Sequence, residues 1–572
     1  MNSKSGQIVH GIRTENHQSC GTERHFEHRV VGPPGCGKTT WIERQIVRAV
    51  EAFGIDPNQC TEILVTTLTR AAAGEIRRRS VGLPRDQIGT LHSHAWRVLG
   101  RPDLIYSKEA VKDWNERCDP RNQVSAFGNI EVDDEENDGQ GTIDGQSGKL
   151  PGDKQLALYH LGRALLVPEL RVFRSLSASF VDEYEAWKHS SGLLDFSDVI
   201  DQAFCQSEAA PGLPRLIFVD EAQDHNASQF RLLRKWGNRC ERLIVVGDPW
   251  QNLYEWCGSK PDAFYGVDLP EENKIILKQS YRVPRAVHSE AVRMIHRISH
   301  EEDFEYLPRD HEGEVIEMGW SIQKNAEHIV ADIELSRYGK TIMILSQGGY
   351  MLSSIIAQLR AEGIPFCNQY RLKNGRWNPI RLYTKGSTCS RLATYLYPNT
   401  DYYDEPHVWT MGELSYWIAL ISGTGVLSHG AKKEITTKAK AAADKPVDFE
   451  WLESLFVSRK EYEEMAECNP WWLASNALSD KRRSLDYLCR VVSKYGIDGI
   501  STQPLICVGT IHSVKGGEAD VVYLCPDLSK AAYEQYTFDE SAVTRLMYVG
   551  MTRARETLVL LRPENRYMSV IW

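Results

Sequence analysis

The chain has no C-x-x-C pair. Its 13 cysteines are scattered over 572 residues, which argues against a disulfide framework, a zinc ribbon or an iron–sulfur cluster. The one knot of potential ligands, His17, Cys20, His25 and His28, matches no common zinc spacing and reads as a polar N-terminal loop. No apolar run reaches the roughly 18–20 residues of a membrane span. The opening MNSKSGQIVHGIRTENHQ lacks the apolar core of a signal peptide, so a soluble, cytoplasmic protein is expected. Repeats of solenoid period are missing too. So is a positive net charge: 67 Lys and Arg against 77 Asp and Glu leave −10. That total does not favour nucleic acid as a partner, yet phosphate binding needs a local basic groove and not a basic sum.

What the chain does hold is the composition of a globular protein, 42% hydrophobic and 25% charged, with length for about three or four domains. Its organising stretch is VVGPPGCGKTT, residues 30–40, which fits G-x-x-x-x-G-K-[ST]. Glycines there let backbone N–H groups turn inward around phosphate oxygens. Gly32, Pro33, Pro34, Gly35, Cys36, Gly37, Lys38, Thr39 and Thr40 are therefore the candidate nucleotide-binding residues. Lys38 supplies a point charge near the terminal phosphates, and the Thr39 hydroxyl is a candidate Mg²⁺ ligand. Behind the loop, Ile42, Ile46, Val50 and Phe53 recur at helical spacing and Gly54 ends the run.

Further along, TEILVTT (61–67), RLIFVDEAQD (215–224), ERLIVVGDPWQ (241–251), TIMILSQ (341–347), LICVGTIHS (505–513), VVYLCP (521–526) and TLVLL (557–561) read as strands. Continuous apolar runs of this kind suit parallel strands covered on both faces, so two α/β units are expected. Between about 122 and 153 the segment EVDDEENDGQGTIDGQSGK has nothing to bury and reads as a disordered acidic loop. The basic run from His429 to Lys445 reads as a solvated helix. A P-loop needs a second, acidic strand end, and Asp220-Glu221 supplies it. Asp220 would hold Mg²⁺, and Glu221 would orient the attacking water and accept its proton.

With DEAQD the resemblance becomes specific: the chain resembles the UvrD/Rep-type DNA helicases of superfamily 1A. GTLHSHAW resembles their GTFHS block, VGDPWQNLYEWCGS their GDxxQSIYxWRGA block, and LKQSYR their LxxNYR block. GTIHSVKGGEADVVYL and LMYVGMTRARETLVL resemble the last two motifs, and the ordered set spans residues 30–561. The resemblance implies an α/β fold of two RecA-like P-loop motor domains, each with an inserted, mainly helical subdomain. The expected layout is a first motor domain at 1–97 and 190–276, with an insert at 98–189. A second motor domain is expected at 277–372 and 500–572, with an insert at 373–499.

Roles implied by the resemblance carry over residue by residue. Gln251 senses the γ-phosphate, Tyr281 stacks on adenine, and Glu518 contacts the ribose. Arg282 and Arg553 reach the γ-phosphate from the second motor domain, with Arg555 open to a second reading as part of a solvated basic helix face. Tyr254 and Trp256 form a base-stacking pair, and Thr90, His92, Thr510 and His512 contact the nucleic-acid backbone. Three departures stand out: Cys257 replaces the arginine of WRGA, Leu68 replaces a stacking phenylalanine, and no clean L-N-x-x-Q precedes the P-loop. The implied activity is ATP- and Mg²⁺-dependent 3′→5′ translocation on single-stranded DNA with duplex unwinding, in replication, repair or recombination. The implied partners are single-stranded DNA, single/double-strand junctions and replication or repair proteins, with RNA the less favoured track. Two alternatives stay open: a translocase that strips proteins without unwinding, and a nucleotide-gated DNA-binding subunit of a larger complex.

Overall fold

The computed structural model describes residues 26–79, 82–127, 150–167, 175–298, 304–337, 339–372, 374–381, 384–405 and 407–570. Most of the acidic segment, 128–149, lies outside them, as do His17, Cys20 and His25.

The apolar runs become strands because each has two faces to bury. In the first sheet these are β1 (Glu27–Val31), β2 (Ile63–Thr67), β3 (Ile88–Thr90), β4 (Leu216–Val219), β5 (Arg242–Gly247) and β6 (Lys274–Ile276), in the order β3-β2-β4-β5-β1-β6. Every pairing in it is parallel. Alternate residues go to opposite faces. Val30, Ile63, Val65, Phe218, Ile244 and Val246 pack on one side with Ile42 and Ile46 of the helix Lys38–Phe53. Val31, Leu64, Ile217, Val219, Leu243 and Val245 pack on the other, against Leu91, Phe230 and Trp236. Burial on both faces is what lets a strand dispense with polar alternation.

Two short strands follow, β7 (Gln279–Pro284) and β8 (Leu307–Arg309), parallel to one another. A second sheet contains β9 (Glu314–Glu317), β10 (Ile342–Ser346), β11 (Phe366–Cys367), β12 (Ile506–Thr510), β13 (Ala519–Leu524) and β14 (Ala554–Leu560), in the order β11-β12-β10-β13-β14-β9. Helices between 108 and 191 bury an aromatic core of their own, with Trp114, Phe180, Tyr184 and Trp187 at its centre. Helices between 388 and 501 share one core with the second sheet, through Tyr395, Trp409, Trp417 and Trp472.

The described chain resolves into two compact units. The first ends at Glu314 and takes in Lys530–Thr552; the second is Val315–Ser529 and Arg553 onward. Residues 277–314 therefore pack with the P-loop unit, as does the helix Ser541–Met551. Arg545 on that helix pairs with Glu255, and the Tyr548 ring meets Trp250 edge-on at 5.9 Å.

Candidate functional site

A parallel sheet brings the carboxyl ends of its strands to one edge, where open α/β folds place their ligands. In the first unit that edge collects most of the candidate site. β1 ends at Val31 and runs into the P-loop, β4 ends at Val219 before Asp220 and Glu221, and β5 ends at Gly247 before Asp248. The strand ends are stitched together: Gly32 N–H donates to Gly247 O at 3.0 Å and Asp220 N–H to Thr66 O at 2.9 Å.

The loop has the backbone such a site needs. Gly35 and Gly37 both sit at φ +76°, a region that L side chains rarely occupy. Gly37 caps the helix Lys38–Phe53 with no side-chain hydrogen bond and no acid in the first turn, so that helix end is compatible with an anion. Lys38 Nζ donates to Gly32 O at 2.8 Å across the loop. Cys36 is packed, and burial pushes its thiol up to about 12, so it stays protonated and unreactive.

Two buried carboxylates face this loop. Burial, then the neighbouring Glu221, pushes the Asp220 carboxyl up to about 7 against the pull of Lys38. Burial likewise raises Asp248 to about 6, again opposed by Lys38. The Thr39 hydroxyl in the first turn after the P-loop and the Asp220 carboxylate at the end of β4 are hard oxygen donors of the kind a divalent cation takes. Among the described residues no group of three or more His, Cys, Asp or Glu could hold a metal. Two oxygen donors from the protein leave a cation such as Mg²⁺ to take its remaining ligands from phosphate and water.

Glu221 has φ 49° and ψ 42°, a left-handed conformation costing a non-glycine residue about 1–2 kcal/mol. Its carboxylate accepts from Gln223 Nε2 at 2.5 Å. Gln251 Nε2 donates to Asp248 Oδ2 at 2.6 Å. Gln223 was invisible as a site residue in the sequence, although it stands two places after Glu221 in DEAQD. So were Ser280 and Tyr306, whose hydroxyls both donate to Pro34 O, at 2.9 and 3.0 Å.

β7 lies against the P-loop within the first unit. Tyr281 N–H donates to Gly35 O at 2.8 Å while its ring is 72% exposed, open for stacking. Arg282 also touches the loop, since a Cβ on Gly35 would come within 2.5 Å of Arg282 Cβ. Arg553 and Glu518 belong to the second unit, before and at the amino ends of β14 and β13. Arg553 is 1% exposed and donates to Gly517 O at 3.1 Å. Arg555 lies on β14, not on a helix, and pairs with the exposed Glu518 at 3.1 Å.

The expected nucleic-acid residues separate by exposure. Trp256 is partly exposed. Tyr254 is 4% exposed, with its ring edge against Trp256 at 6.4 Å. Of the two rings expected to stack on bases, Trp256 thus presents surface and Tyr254 packs against it. Residues 89–93 and 509–513, each G-T-x-H-S, form the same turn in both units. Thr90 Oγ1 accepts from Ser93 N–H at 3.2 Å and Thr510 Oγ1 from Ser513 N–H at 3.3 Å. Ser93 and Ser513 hydroxyls return to the Thr90 and Thr510 carbonyls, both at 2.7 Å. Both threonines are buried and hold the turn, while His92 and His512 keep part of their surface exposed.

Comparison with known proteins bears on this geometry. A family model for the UvrD/REP helicase N-terminal domain matches residues 15–268, and one for the UvrD-like helicase C-terminal domain matches residues 505–561. Between them they take in just over half of the chain. ATP-dependent DNA helicase UvrD1 of Mycobacterium tuberculosis is 27% identical over 324 residues, 52% of this chain and 40% of that protein. The probable DNA helicase II homolog of Mycoplasma capricolum is 28% identical over 285 residues, 45% and 37% of the two chains. ATP-dependent DNA helicase PcrA of Staphylococcus aureus is 26% identical over 302 residues, 46% and 37%. The matched part of the chain thus spans about two-fifths of the length of these relatives.

Proposed function

The chain belongs to the UvrD/Rep helicase family, and from that premise we propose that it is an ATP-driven DNA helicase. It translocates 3′→5′ on single-stranded DNA and unwinds duplex in replication, repair or recombination. By family resemblance its motor domains are RecA-like, at 1–97 with 190–276 and at 277–372 with 500–572, with helical inserts at 98–189 and 373–499, and of the second motor 277–314 and 530–552 pack with the P-loop unit. The observation that carries the reading is the convergence of the P-loop, Asp220, Glu221 and Gln251 on one edge of a parallel sheet.

In this reading the loop N–H groups and Lys38 hold the ATP phosphates, and Tyr281 stacks on the base. Thr39 and Asp220 hold Mg²⁺, which when bound neutralises phosphate charge. Glu221 orients the attacking water and takes its proton. The water oxygen forms the new bond to phosphorus, and the bond to the bridging oxygen breaks with its electron pair leaving on ADP. Arg282, with Arg553 and Glu518 of the second unit, keeps the role the family resemblance assigns it. Trp256, His92 and His512, with Thr90 and Thr510 shaping their turns, contact single-stranded DNA.

One pair of observations favours the narrower reading of a translocase that strips proteins. Tyr254 is buried, and an uncharged Cys257 stands where the family has arginine. Strand separation on duplexes with a 3′ or a 5′ single-stranded tail decides. Unwinding of the 3′-tailed duplex alone supports the helicase reading. DNA-stimulated hydrolysis without unwinding of either would select the translocase.

A further inference from the structure

We propose that Gln223 is a positioning residue for hydrolysis: it clamps the end of β4 to the end of β5 and thereby fixes the orientation of the Glu221 carboxylate. This inference rests on the reading of the chain as an ATP-hydrolysing motor.

Gln223 has no solvent exposure. Its Nε2 donates to Glu221 Oε2 at 2.5 Å, and its Oε1 accepts from Asp248 N–H at 2.9 Å. The amide has one workable orientation, because a carboxylate requires a donor and a backbone N–H requires an acceptor. Nε2 also lies 3.5 Å from Asp224 Oδ2, a far weaker contact. Room for the amide depends on Gly247, where a Cβ would stand 2.5 Å from Gln223 Oε1. The glycine that closes β5 is therefore matched to this side chain.

Glu221 is a residue that needs such support. Its left-handed backbone, φ 49°, is held by Glu221 N–H donating to Asp220 Oδ1 at 3.0 Å and by Asp224 N–H donating to Glu221 O at 3.1 Å. Strained conformations persist where the surroundings over-determine them. The backbone bonds fix where the side chain starts, and Gln223 fixes where its oxygens end. The same Asp248 that Gln223 grips through its backbone grips Gln251 through its side chain, at 2.6 Å. A shift of the turn carrying Gln251 is thereby transmitted to Glu221 through one buried amide.

The test uses the full chain, with steady-state ATP hydrolysis at saturating single-stranded oligonucleotide and equilibrium binding of a fluorescent ATP analogue. Gln223→Glu preserves shape and the acceptor for Asp248 N–H but sets a carboxylate against Glu221. Gln223→Met fills similar volume without either bond and serves if the first variant fails to fold. Both should lower kcat about 100-fold, in the range of a misplaced general base, with KM and analogue affinity within about twofold. The double variant Glu221→Gln with Gln223→Glu rebuilds an amide–carboxylate pair but has no base. Its turnover should equal that of Glu221→Gln alone, since residues acting through one another are non-additive. A wild-type kcat in both single variants, or losses that multiply in the double, would overturn the inference. Parallel losses of kcat, affinity and melting temperature would also overturn it, as the mark of a merely structural residue. A wild-type protein that hydrolyses no ATP would instead overturn the functional reading on which the inference rests.

Discussion

Two glycines in the P-loop offer a matched experiment. Gly35 and Gly37 share the same φ, +76°, so an alanine at either meets the same intrinsic penalty, about 1–2 kcal/mol. Their surroundings differ. A Cβ on Gly37 has nothing within 4 Å, whereas one on Gly35 would lie 2.5 Å from Arg282 Cβ, 2.6 Å from Ser280 Oγ and 3.1 Å from Arg282 N. Those atoms are backbone or next to it, so β7 must move as a strand. Moving it breaks Tyr281 N–H to Gly35 O, at 2.8 Å, and Ser280 Oγ to Pro34 O, at 2.9 Å. Each such bond contributes about 1 kcal/mol net. Gly37→Ala should therefore cost about 1–2 kcal/mol and Gly35→Ala about 3–4 kcal/mol. Nucleotide-free thermal unfolding is the assay, because phosphate contacts then play no part. At roughly 2–4 °C per kcal/mol, the first unit of Gly35→Ala should melt about 4–8 °C below that of Gly37→Ala. Equal melting temperatures would refute the packing of β7 on the loop, and with it the placement of Tyr281 and Arg282 against Gly35.

Trp256→Ala should weaken single-stranded DNA binding by about 1–3 kcal/mol, measured by fluorescence anisotropy, whereas Tyr254→Phe should leave affinity within twofold because that ring is buried. Lys188 is 3% exposed and sits 2.7 Å from both Asp195 and Asp198, joining the helix Ala178–Ser191 to the helix Phe196–Gln206. Lys188→Met strands Asp195 without its main counter-charge and should cost about 3–5 kcal/mol, and Lys188→Met with Asp195→Asn should recover part of that loss in the same melt. His94 is fully buried, its Nε2 3.1 Å from Val65 O and its Nδ1 against Arg97. Burial, then Arg97, lowers it to about 3, while the unfolded chain takes up that proton near pH 6.5. Stability from this group is therefore lost as pH falls from 6.5 toward 3, by about 1.4 kcal/mol per pH unit. Relative to wild type, His94→Gln should flatten the fall in melting temperature between pH 6.5 and 5; identical slopes would contradict the neutral, doubly bonded imidazole.

What the sequence made legible is what local pattern encodes. The runs at 63–67, 216–219, 242–247 and 506–510 are strands whose burial on both faces lets apolar residues follow one another without polar alternation. The P-loop and Asp220-Glu221 could be read because a short motif carries its own backbone chemistry. Long-range complementarity left no such trace. Ser280 and Tyr306 reach Pro34 across 246 and 272 residues, and no spacing rule announces such partners. Gln223 sat in plain view inside DEAQD, but its role depends on a backbone N–H at Asp248 and on the missing side chain of Gly247. The burial of Tyr254 depends equally on its neighbours in space. Alternation of two aromatics resembles a stacking pair whether one or both reach the surface. The second reading of Arg555, as part of a solvated basic helix face, does not hold, because the helix Ser541–Met551 ends before it and Arg555 lies on β14.

The central claim is a DNA-dependent ATPase built on the P-loop edge of the first sheet. The most direct measurement is steady-state ATP hydrolysis with and without a single-stranded oligonucleotide, alongside Lys38→Ala. Strong stimulation by the oligonucleotide, lost in the variant, is the expected result. Tight ATP binding with no stimulated turnover, or a Lys38→Ala protein as active as wild type, would contradict it.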